Sequence, residues 1–174
     1  MNRNWILLVI LIQRWYIHCK KCLYNKEREN IMASQTVELL KECNSGCKMA
    51  INSMEQIMDY VRDEKQMEML CSYEKKHEQL EKRIGEQLML NGAKEEEPGI
   101  MASAMSWVTT EVKMAMHPDS SQVAKLMMDG CNMGIQSIAG YMNQYINASR
   151  ESKELARELL KVEESMMKDI RQFL

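Results

Sequence analysis

Gly46-Cys47-Lys48-Met49-Ala50-Ile51-Asn52-Ser53-Met54 returns further along the chain as Gly130-Cys131-Asn132-Met133-Gly134-Ile135-Gln136-Ser137-Ile138. Gly, Cys, Met, Ile and Ser recur at the same offsets, Asn52 becomes Gln136, and Met58 corresponds to Met142. Around the first copy, Leu40, Cys43, Cys47, Ala50, Met54, Ile57 and Val61 alternate spacings of three and four. Residues so spaced share one face of a helix, so the stretch reads as a helix with one buried stripe. The second copy extends in the same way through Val123, Met127, Cys131, Gly134, Ile138, Tyr141 and Tyr145. Two helices are thus copies of one ancestor, each bringing a cysteine to the same depth.

Each copy leads, after a short polar break, into a partner helix. Beyond Arg62-Asp63-Glu64-Lys65 come Leu70, Tyr73, His77, Leu80, Ile84 and Leu88, ended by Asn91-Gly92. Beyond the break around Asn147 to Ser152 come Leu155, Leu159, Val162, Met166, Ile170 and Phe173. Connections this short make each pair an antiparallel hairpin. The hairpins are joined by the exposed linker Ala93-Lys94-Glu95-Glu96-Glu97-Pro98-Gly99 and an amphipathic segment, Ile100 to Met116, that holds Trp107. The reading is all-α: a four-helix bundle of two duplicated hairpins, with main helices at about 36–61, 65–90, 121–146 and 151–173. A short extra helix at about 100–116 is expected in the long crossover. Ser34 or Thr36 is the expected N-cap of the first helix. Gly46, Gly130 and Gly134 are costly inside helices, and close helix approach would explain them.

Composition agrees. With 174 residues, 6% aromatic and 18 Met, the chain suits one helical domain filled by flexible aliphatic side chains. Lys and Arg number 23 against 25 Asp and Glu, so no basic field favours nucleic acid. Six cysteines in a chain large enough to build a core read as reduced thiols in a cytoplasmic protein.

Residues 1–31 stand apart. Trp5-Ile6-Leu7-Leu8-Val9-Ile10-Leu11-Ile12 is far short of the roughly 20 apolar residues that a membrane-crossing helix needs, so no membrane span is expected. No small-residue cleavage site follows it. Cys19-Lys20-Lys21-Cys22 has the spacing of half a zinc site but no second pair. Lys26-Glu27-Arg28-Glu29 permits purine-rich, ribosome-binding codons shortly before Met32. Translation is therefore expected to begin at Met32, residues 1–31 being a gene-start artefact or a disordered extension, and the bundle to occupy 35–174.

From about Gln35 to Leu174, with short loop, long crossover and short loop, the chain resembles ferritin-like, rubrerythrin-related four-helix proteins of an uncharacterised bacterial family. In metal-binding members of that fold the first and third helices each give a Glu, and the second and fourth each give Glu-x-x-His. Glu74-Lys75-Lys76-His77 matches the second-helix motif in type and spacing. The other positions depart from it: Cys47 and Cys131 fall near the first- and third-helix carboxylates, and the fourth helix offers Glu163 with Met166, or Glu164 with Met167. The resemblance implies a candidate metal set of Cys47, Glu74, His77, Cys131, Glu163, Glu164, Met166 and Met167. Its thiols and thioethers suit Cu(I) or Zn(II) better than a di-iron centre.

The same residues have a plainer reading. Buried cysteine packs as a small hydrophobe, methionine fills gaps, and His77 can hydrogen-bond Glu163, Glu164 or a tyrosine. No nucleophile and base pair, phosphate loop or dinucleotide motif is present in the sequence, and no catalytic residue or organic cofactor is expected. The expected function is a degenerate, non-oxidase scaffold or interaction module, with a second copy or another protein as partner. The alternative is soft-metal binding or thiol redox chemistry by the named cluster.

Overall fold

The computed structural model describes residues 3–94 and 119–174, the side chains of 3–19 and 22 excepted. Four α-helices lie among the described residues: α1 Arg3–Met58, α2 Glu64–Leu90, α3 Ser120–Gln144 and α4 Arg150–Ile170, the last running into a 3-10 turn, Arg171–Phe173. Side-chain caps explain three of the four starts. The Gln66 amide donates to Asp63 Oδ1 at 2.9 Å, that of Gln122 to Asp119 Oδ1 at 2.8 Å, and that of Ser152 to Ser149 Oγ at 3.1 Å. At the end of α2, Gly92 takes φ of 72°, letting the Gly92 and Ala93 amides bond back to the carbonyls of Met89 and Leu88.

The start of α1 corrects the sequence reading. Neither Ser34 nor Thr36 caps it, and α1 is helical from Arg3 onward, through the residues read as a gene-start artefact or a disordered extension. Between Lys20 and Gln35 there is no Gly or Pro and a surplus of good helix formers, so nothing stops the helix. Thr36 Oγ1 donates to the Met32 carbonyl at 2.7 Å, within α1, and accepts from the Ser149 amide at 2.8 Å. The residue expected to begin one helix thus helps to begin α4. Residues 23–34 lie exposed, ahead of the bundle.

α1 packs along α2 and α3 along α4; the two hairpins meet through α2 with α4 and α1 with α3, and α1 also touches α4 across the diagonal. The core has two apolar layers. One holds Met54, Ile57, Leu70, Val123, Met166 and Ile170, the other Leu39, Leu40, Ile84, Leu88, Leu155 and Leu159. Each Leu or Ile so buried contributes about 1.5–3 kcal/mol. Every stripe residue read for α2, Leu70, Tyr73, His77, Leu80, Ile84 and Leu88, is buried. The expected crossover helix at about 100–116 lies outside the described residues. Among the described residues no helix is long and apolar enough to cross a membrane.

Candidate functional site

The middle of the bundle, between the two apolar layers, is polar. His77 is 0% exposed and Glu163 only 7%. His77 Nδ1 lies 2.8 Å from the Tyr73 carbonyl, one turn back on α2. A carbonyl only accepts, so Nδ1 carries a proton and donates. Nε2 lies 3.2 Å from Glu163 Oε1 on α4. Two acceptors would repel there, so one proton is shared along that line, from imidazolium to carboxylate or from carboxylic acid to imidazole. Either way the pair is neutral as a unit, the condition under which it can be buried.

The thiols surround this pair from the two repeat helices. Cys131 is 2% exposed, and its thiol donates to Glu163. Burial pushes the Cys131 thiol up, and the Glu163 charge and this hydrogen bond push it further. Cys47, fully buried on α1, is raised well above the ordinary thiol value by burial first, then by Cys43, Glu163 and Glu81. Cys43, one turn earlier, is pushed up to about 12 by burial and by Glu42. These thiols are protonated at neutral pH. A thiol in that state is neither a nucleophile nor a metal ligand until it loses the proton that its surroundings retain.

Of the eight residues expected at a site, the structure gathers Cys47, His77, Cys131 and Glu163, with Met166 buried in the layer beside Cys131. Three it does not. Glu74 is half-buried at the bundle rim, its carboxyl raised by partial burial and by Glu78 and Glu55. Residues three apart differ by about 60° around a helix, so with His77 aimed at the axis Glu74 is turned outward. Glu164 is exposed, about 100° round α4 from Glu163. Met167 packs on the edge of the layer without being buried. Among the described residues no group of three or more His, Cys, Asp or Glu side chains is placed to hold a metal ion. One carboxylate, one imidazole and protonated thiols do not fit a carboxylate-rich di-iron centre.

One feature of the site escaped the sequence reading, and another, the close approach expected at Gly134, is borne out. Tyr73 donates through its hydroxyl to Asp169 Oδ2 at 2.5 Å, tying α2 to α4 one turn from the His77 pair. The other is Gly134. A Cβ there would sit 3.1 Å from Glu163 Oε1, so the missing side chain makes room for the carboxyl. In the repeat this position is Ala50 against Gly134, one of four differences between the two copies. Among the described residues close helix approach does not account for Gly46 and Gly130, where a Cβ would meet none of them within 4 Å. Both line an open groove of about 440 Å³ between α1 and α3, with Ser53 and Ser137 on its walls and Glu163 and Met166 on its floor.

The structure is similar to the crystal structure of Dps92 from Deinococcus radiodurans, with a TM-score of 0.66 over 82% of this chain and 87% of that one, at 14% sequence identity. The fold is the ferritin-like four-helix bundle. Comparison with protein-family models and with curated protein sequences gives no match.

Proposed function

We propose that this chain is a ferritin-like scaffold, an interaction module without oxidase chemistry, acting in the cytoplasm with a second copy or another protein. The observation that carries this reading is the state of the bundle centre. By the repeat alignment Cys47 and Cys131, or a neighbour, correspond to the first- and third-helix carboxylates of metal-binding ferritin-like proteins, and here both are buried thiols held in the protonated form. His77 spends one ring nitrogen on the Tyr73 carbonyl and the other on Glu163.

The test is elemental analysis of the protein purified from metal-supplemented cells, beside Cys47→Ala and His77→Ala. The scaffold reading expects substoichiometric metal in all three. A stoichiometric metal that disappears in both variants overturns it in favour of a soft-metal site. Light scattering across a concentration series reports whether copies associate.

A further inference from the structure

We propose that the groove between α1 and α3 binds an amphiphilic amine, its apolar body lying along the walls and its protonated amino head hydrogen-bonded to Glu163. The inference goes beyond the scaffold reading and does not depend on it, because metal content and amine binding are separate measurements.

The groove follows from the sequence repeat. α1 and α3 run antiparallel: the Tyr141 hydroxyl bonds Glu42 at one end, and Ile57 and Leu126 share an apolar layer at the other. In that register Gly46 comes level with Ser137, and Ser53 with Gly130. One inherited Gly and one inherited Ser thus remove side-chain bulk twice along the same seam. Among the described residues the gap is open, since a Cβ at Gly46 or Gly130 would touch none of them within 4 Å. At about 440 Å³ it falls within the range of small-molecule sites, which are mainly apolar with a few placed polar groups.

Charge selects the ligand. The groove is lined by two carboxyl side chains, Glu42 and Glu163, and by no Lys, Arg or His among the described residues. Glu163 is the one that matters, because it is buried and lies on the floor. A carboxyl group offers about four acceptor positions. His77 and Cys131 occupy two, which leaves acceptor capacity for a donor arriving from the groove. The other polar groups on the walls are neutral hydroxyls and amides, so they neither repel a cation nor neutralise it. A positively charged N–H donor makes a stronger hydrogen bond to these remaining lone pairs than a neutral donor does, the His77–Glu163 pair itself carrying no net charge. Met49 and Met133 add polarisable, adaptable surface for the apolar body.

Octylamine, octanol and octanoate, held below their micellisation limits, test this by calorimetric titration into the full chain at pH 7. Octylamine is expected to bind at least about tenfold more tightly than octanol, with octanoate weaker still. Glu163→Gln should bring octylamine to the octanol level. Gly46→Leu and Gly130→Leu should abolish binding of all three while leaving the helical content intact, because the added side chains project into open space. Equal binding of the three probes, octylamine binding that survives both leucine variants, or no octylamine binding at all would each overturn the proposal.

Discussion

Replacing His77 with leucine removes one half of a buried polar pair and strands the other. His77 is 0% exposed and leucine fills the space its ring leaves, so water reaches Glu163, itself 7% exposed, only from the groove side. Glu163 Oε1 loses its 3.2 Å neighbour. An orphaned buried polar group costs about 1–3 kcal/mol, and a stranded buried charge about 3–5 kcal/mol. We expect His77→Leu to lose about 3 kcal/mol, a fall in Tm of about 6–12 °C for a chain of this length. Removing both partners is different in kind. In His77→Leu with Glu163→Met nothing polar is stranded except the weakly bonding Cys131 thiol, and stability should return to within about 1 kcal/mol of the parent. Urea unfolding at pH 7, followed by helical circular dichroism across the four proteins of the cycle, measures both quantities. The reasoning fails if the single variant costs under about 0.5 kcal/mol, or if the double variant costs the sum of the two singles.

The glycines divide by what surrounds them. Gly46→Ala and Gly130→Ala should each stabilise by about 1 kcal/mol, since alanine suits a helix interior and its Cβ meets none of the described residues there. Gly134→Ala, with its Cβ 3.1 Å from Glu163 Oε1, should lower the melting temperature; a gain equal to that at Gly46 would disprove the cradle assigned to it. Burial raises Cys43 from 9.0 to about 12 and raises Cys47 and Cys131 as well, so above about pH 9 the unfolded chain releases protons that the folded state retains. Stability is therefore complete below pH 9 and falls above it, by up to about 1.4 kcal/mol per pH unit for each thiol. Urea midpoints between pH 8 and 10.5 should drop less steeply in Cys47→Ala than in the parent. A chain that begins at Met32 should melt within about 2 °C of the full chain, because residues 23–34 lie exposed ahead of the bundle; a larger fall would show that the overhang packs on something.

The repeat around Cys47 and Cys131, with the three-four spacing on either side, was enough to read the helices, their pairing into hairpins and most of each buried stripe, though Ala50, Gly134, Tyr141, Tyr145, Val162 and Phe173 are only half-buried. Such features are local, set by helix geometry and by where polar breaks interrupt it. His77 could be placed in the core for the same reason. The spacing could not say which of Glu163 and Glu164 faces it, nor that Glu74 turns away. Adjacent residues on a helix differ by about 100°, and the angle at which a helix presents its stripe depends on the neighbours it packs against. Nor could composition stop α1 at residue 36, because a stretch of good helix formers carries no end signal of its own. Gly46 and Gly130 look like contact points in one dimension and become an open groove in three. Whether a small residue admits a neighbour or leaves a space is decided by the distance between two helices, a quantity that belongs to their packing and to neither helix alone.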